Sequence, residues 1–342
     1  TTDDPNEASA ILEVLETGAK YSEDQERDDH GRFSGPGGGG GGGSLPETRP
    51  ATDDLEYELG EAQGRAWQAG MEAATAKSDP TGVNFIPSTG AKMMVQANLA
   101  EATGLPTEVT NTLVGGWAAT SNDDYRALWM QKMAAEEFGV PLNQWQQDKL
   151  DKFEEQRTRL TDELGATPGI TGQTPFEALQ QGDPNSVWEL TDEGRAAILG
   201  GHSNQEEAGR AFLRAQYDTT QAFFKEQGVT EVVAYRGQQV EAVVLINPDV
   251  HFTEPNPAIP KEGDYVQGAD NAMESWSLDQ STAQNFAASS RGVVGYVERM
   301  VIPVERILST PFTGYGCLAE SEIVVLGGAG KSEVIQVNAN SG

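Results

Sequence analysis

Only one cysteine, Cys317, occurs in the 342 residues, so no disulfide can close within the chain and packing has to hold the fold. Histidine is nearly as scarce. His30, His202 and His251 lie far apart, which leaves little material for a zinc site or a Ser-His-Asp triad, and no metal is expected. No apolar run approaches the roughly 18 to 20 residues of a membrane-spanning helix, and no charged-then-apolar leader opens the chain. Positive charge is short as well: 23 Lys plus Arg stand against 53 Asp plus Glu, a formal net charge of −30. The concentrated basic face that nucleic-acid phosphates or an anionic membrane would require is missing, so neither is expected as a partner. An initiator Met is also lacking, and the start at Thr1-Thr2 reads as that of a fragment or processed piece.

What is present divides into three stretches. Hydrophobic residues make up 37 %, low for a single globule of this length, which points to a tail or linker. Residues 1–54 fit that description: they are acidic and interrupted by the glycine run Gly37 to Gly43. Residues 55–204 have a helical texture, with apolar residues three and four apart between Gly and Pro punctuation. This spacing, continued past 204, predicts helices over 55–76, 90–103, 124–138, 142–164 and 204–227. Five of the six tryptophans, Trp67, Trp117, Trp129, Trp145 and Trp188, lie in this helical stretch and, at helical spacing, read as core anchors. From Val229 the pattern becomes one of short β-branched runs, predicting strands over 231–235, 241–246, 293–304 and 322–326 with one helix over 282–289. The whole reads as α+β, a helical N-terminal half followed by a β-rich lobe over 205–342.

Three segments of that lobe carry residues suited to chemistry. Val232-Val233-Ala234-Tyr235-Arg236-Gly237 is an apolar strand ending in an arginine beside a glycine that permits close backbone approach, a combination suited to gripping a phosphate. In Glu274-Ser275-Trp276-Ser277, strand alternation puts both serines on one face and the indole on the other, and Ser281 or Thr282 can cap the helix that follows. The third segment runs from Pro311 through Phe312, Tyr315 and Cys317 to Glu320-Ser321-Glu322 and the apolar strand Ile323 to Leu326. Period two places Glu320 and Glu322 on the same side, where two carboxylates repel unless a cation comes between them. Gly330-Lys331-Ser332 is not a phosphate loop, because the earlier glycine of that motif is replaced by Val325.

In this order, Arg, then Ser-x-Ser, then Glu-x-Glu behind an aromatic loop, the segments resemble the arginine-serine-glutamate class of mono-ADP-ribosyltransferases over about residues 205–337. The resemblance implies a lobe of two packed small sheets and an enzyme that moves ADP-ribose from NAD to a protein side chain, with NAD hydrolysis as a side activity and no metal. It implies that Arg236, with Gly237, Ser275, Ser277 and Phe286, holds NAD. Glu322, supported by Ser275, stabilises the positive charge that develops on the ribose. Glu320 selects arginine as acceptor, and Phe312 and Tyr315 are candidates to touch the acceptor protein, packing of the loop being the alternative. The partner implied is a host protein with an exposed arginine.

Arg27-Asp28-Asp29-His30-Gly31-Arg32-Phe33 is similar to a segment found in structural proteins of tailed bacteriophages. Two other readings therefore stay open: a phage virion or ejected protein carrying a vestigial transferase fold, and a fragment of a secreted toxin. The expected location is the virion or the host cytoplasm, with secretion as the alternative.

Overall fold

A two-residue strand, β1 (Arg49–Pro50), leads into a long helix, α1 (Asp53–Ser78). Asp53, Asp54 and Glu56 lie in its first turn and Lys77 in its last, each sign of charge favourable to the helix dipole at its end. The computed structural model describes residues 45–78, 87–119, 125–152, 155, 200–202, 205–247, 252–255, 259–268, 271–288, 293–328 and 330–338. Helices α2 (Pro87–Thr103), α3 (Thr107–Ala119), α4 (Tyr125–Phe138) and α5 (Gln205–Gln227) follow. Four of the five match expected helices to within a turn. The exception, α3, was hidden by Gly115 and Gly116, which break its apolar rhythm. The helix expected over 142–164 is seen from 144 to 152. Most of its remainder lies outside the described residues, as do the glycine run, the Arg27 to Phe33 segment and Trp188. The tail expected to reach residue 54 ends earlier, because β1 and the start of α1 already occupy 49–54.

The second half of the chain builds β2 (Glu231–Glu241), β3 (Val243–Asn247), β4 (Phe252–Pro255), β5 (Tyr265–Gln267), β6 (Met273–Ser277), α6 (Gln280–Phe286), β7 (Val293–Pro303), β8 (Ile307–Ser309), β9 (Glu322–Leu326) and β10 (Lys331–Asn338). Eight strands form one sheet in the order β5-β10-β7-β2-β6-β9-β8, with β1 added on β7, and β3 and β4 form a separate hairpin. Every pairing is antiparallel. The protein is thus a mixed helix and antiparallel-sheet, α+β fold. The sheet has one thin joint. Strands β2 and β7 pair from Glu231↔Pro303 to Glu241↔Val293, whereas β2 and β6 meet at Tyr235↔Ser277 alone. The strand expected over 231–235 runs on to Glu241 because β7 supplies backbone partners along its whole length.

The chain forms two compact units. One includes residues 95–216, with Leu99, Leu128, Met133, Phe212 and Leu213 among its fully buried side chains. Two arginines of α5 pair with α4: Arg214 meets Glu137 at 2.6 Å and Arg210 meets Glu136 at 3.5 Å. The other unit takes Pro46–Met94 together with Tyr217–Gly342. Helix α1, expected in the helical region 55–204, therefore belongs with the sheet.

Side-chain alternation explains that placement. Ala62 and Ala66 of α1 pack with Val232, Ala234, Trp276, Ile323 and Val325 on one sheet face, and Leu55 and Leu59 pack with Val233, Tyr235 and Val301 on the other. Gln63 accepts a hydrogen bond from Val233 N at 2.9 Å, filling a place on β2 where the thin joint leaves no neighbouring strand. Arg299 of β7 ties down the start of the helix, with Asp53 at 2.9 Å, Glu56 at 2.7 Å and Glu333 of β10 at 3.1 Å. Burial works against the Arg299 charge, and these three carboxylates more than offset it. Tyr235, across the strand pair from Arg299, is pushed up by burial and by its hydrogen bond to Glu56.

Candidate active site

Glu322 opens β9, and register sets it beside Ser277 while Ser275 sits opposite Val324 on the same face. The Ser275 hydroxyl donates to Glu322 Oε1 at 2.5 Å, and the Cys317 backbone N–H donates to Oε2 at 2.6 Å. Glu322 is 7 % exposed, and a carboxylate that buried needs such donors to offset lost hydration. Both oxygens are fixed, one from β6 and one from the loop before β9. Two of the three distant segments are therefore in direct contact.

Glu320 reaches its place by a different route from the one strand periodicity predicts. It ends a 3₁₀ turn, Leu318–Glu320, and Ser321 follows in the left-handed region at φ 48°, ψ 37°. The two carboxylates are thus not successive same-face residues of a strand. Even so, they interact: burial, then the charge of Glu322, raises the Glu320 carboxyl above its usual range. A left-handed residue other than glycine costs about 1 to 2 kcal/mol, and such strain collects at functional sites.

Ser277 plays a structural part. Its hydroxyl lies 2.7 Å from the Glu320 carbonyl and accepts from Asp279 N at 3.0 Å, and the residue is 7 % exposed. It latches the end of β6 to the turn carrying Glu320. Asp279, rather than Ser281 or Thr282, caps α6, accepting from the backbone N–H groups of both at 3.2 Å. The Ser281 hydroxyl, aided by that of Thr282, holds the Asp279 carboxyl below its usual range.

Phe312 and Tyr315, in the aromatic loop, are each 1 % exposed. The Phe312 ring meets Trp67 edge-on with centroids 4.9 Å apart and lies against Gly70 of α1. Thr313 and Thr220 of α5 join hydroxyls at 2.7 Å below it. Both rings are buried in the protein and not presented at its surface, which fits the packing alternative for this loop. Phe286, by contrast, is 53 % exposed at the end of α6.

Arg236 lies one residue past the thin joint, and its Nη1 donates to the carboxylate of Glu274, while Cζ stands 6.0 Å from the centre of the Trp276 ring. Alternation gives Arg236, Glu274 and Trp276 one side of the strands and Ser275, Ser277 and Glu322 the other. Arg236 is therefore not brought onto the face that carries Ser275 and Glu322; its side chain meets Glu274, the residue before Ser275, instead. Gly237 lies tight against α6: a Cβ there would come within 2.0 Å of the Ala283 carbonyl oxygen. Gly237→Ala is accordingly expected to cost roughly 1 to 3 kcal/mol through a forced shift of α6, read as a lower urea midpoint; an unchanged midpoint would mean that α6 does not dock this closely.

Sequence reasoning missed Glu274, Asn271 and the Cys317 N–H. Only Glu274 left a signal, since period two sets its charge on the buried side of Trp276. A cavity of about 870 Å³ opens elsewhere, beside Arg299 and Glu333, and none of the Ser275, Glu320 and Glu322 side chains lines it. The arginine that borders this cavity is already paired with Asp53, Glu56 and Glu333. Gly330 N donates to Thr48 at 2.7 Å and Lys331 starts β10, which leaves no phosphate loop there. Among the described residues no group of three or more His, Cys, Asp and Glu is placed to hold a metal ion, and no helix is long and apolar enough to cross a membrane. No known protein family, curated protein or solved structure matches the chain.

Proposed function

We propose that this chain is an NAD-consuming mono-ADP-ribosyltransferase that modifies arginine on an acceptor protein and hydrolyses NAD when no acceptor is bound. The observation that carries the reading is the Ser275–Glu322 contact, made between strands 47 residues apart and flanked by Glu320. A carboxylate immobilised at both oxygens meets the requirement for stabilising charge as it develops, because no reorganisation is needed at the moment of reaction. The reaction breaks the ribosyl C1′ to nicotinamide bond, and nicotinamide leaves neutral with the bonding pair. The ribosyl cation takes a bond from an arginine nitrogen, which gives up one proton. Glu322 faces the sugar charge, Glu320 binds the guanidinium and receives that proton, and Arg236 holds the diphosphate. The two packed small sheets that this reading implies are not separate here: eight of the strands form one sheet, in which a single residue pair joins β2 to β6.

Incubating the chain with labelled NAD and agmatine, then with a protein extract, tests this reading. Label on agmatine and on arginine residues, located by mass spectrometry, is the expected result. An absence of both transfer and nicotinamide release would overturn it.

A further inference from the structure

A charged side chain buried in a short strand has to be accounted for. Glu274 stands between Met273 and Ser275, with its side chain 1 % exposed. Its Oε1 accepts from Asn271 N at 3.0 Å and Asn271 Nδ2 at 2.8 Å, and its Oε2 takes Arg236 Nη1. The two ends of this pair differ in exposure, since the Arg236 side chain is 19 % exposed. A buried ion pair contributes little stability that apolar side chains of similar volume could not supply. What this one does is hold a guanidinium still, with a clamped carboxylate at one nitrogen and the Trp276 ring nearby, at the place where β2 and β6 cease to pair.

We propose that Glu274, clamped by Asn271, is a positioning residue that orients Arg236 toward the diphosphate of NAD. This role rests on the transferase reading. An arginine already fixed before the substrate arrives loses less rotamer freedom on binding, so the pair acts on NAD affinity and not on the bond-breaking step. A guanidinium that has to swing between rotamers would bind the same diphosphate more weakly. Asn271 serves the same end indirectly, by keeping the carboxylate from following the arginine.

The test is steady-state kinetics of NAD hydrolysis and agmatine transfer for wild type, Glu274→Gln, Arg236→Lys and the double variant, with thermal midpoints measured alongside. Glu274→Gln is expected to raise KM for NAD about tenfold while kcat stays within about twofold, the loss of one charge-assisted hydrogen bond. Arg236→Lys is expected to raise KM similarly, since an ammonium lacks the fork. The double variant should then be no worse than Arg236→Lys alone, because Glu274 acts only through the guanidinium. If Glu274→Gln does not fold, Asn271→Ala removes one donor from the clamp and should raise KM about threefold. An active wild type with unchanged KM in these variants, or losses that add in the double variant, overturns the positioning role alone. A wild type that neither binds nor cleaves NAD overturns the transferase reading and this role together.

Discussion

Glu322→Gln is expected to lower both agmatine transfer and NAD hydrolysis by about 100-fold or more, the size of effect seen when one transition-state electrostatic partner is removed. The change is nearly isosteric, so shape is kept. What it removes is the charge that faces the ribosyl cation, together with one of the two anchoring bonds. A carboxylate accepts at both oxygens, from Ser275 and from Cys317 N. An amide accepts at one, and its NH₂ then opposes a second donor. Transfer and hydrolysis share the step in which nicotinamide leaves, so the two must fall together. Turnover near wild type, with the fold intact by circular dichroism, would dissociate this carboxylate from any chemistry.

The legible parts of this chain are those whose physics is local. Helical spacing located α1, α2, α4 and α5, and β-branched runs located β7 and β9, because each element's buried face repeats along its own sequence. Partnership across the sheet was invisible. The end assigned to β2 at Tyr235 followed from Arg236 and Gly237 looking like a strand terminus, whereas β7 pairs with β2 as far as Glu241. Helix α1 reads as any acidic helix would, and nothing in its periodicity announces that Gln63 completes a hydrogen bond of β2 or that Asp53 and Glu56 hold Arg299.

At the site, the residue types were legible and their geometry was not. Ser275 and Glu322 could be named from short motifs, and they do touch. The left-handed turn at Ser321 could not be read, since serine carries no bias that marks it as glycine would, and so Glu320 was assigned to a strand that begins two residues later. Phe312 and Tyr315 were ambiguous by composition alone: an aromatic beside glycine fits an exposed loop or an anchor equally well. Their burial depends on Trp67 and Thr220, partners supplied by two helices distant in sequence.

Glu320→Gln should separate the two activities that Glu322→Gln abolishes together. Transfer to agmatine is expected to fall at least tenfold, since a neutral amide neither pairs with a guanidinium nor takes its proton, while NAD hydrolysis stays within about threefold of wild type. The pH dependence follows from the same residue. Burial and the neighbouring Glu322 charge raise the Glu320 carboxyl, so as pH falls this group is protonated before an ordinary carboxylate would be. Wild-type transfer should therefore lose activity on the acid side at a higher pH than hydrolysis does, and Glu320→Gln should lack that limb. Stability should move in the opposite sense. A carboxyl whose pKa is raised on folding makes the native state bind protons more readily than the unfolded chain, which destabilises the fold progressively as pH rises through the folded pKa and fully above it. Replacing it with Gln should thus raise the thermal midpoint at neutral pH and leave it unchanged in acid. A parallel loss of transfer and hydrolysis in this variant would show that Glu320 serves the sugar as Glu322 does, and the assignment of arginine as acceptor would lose its basis.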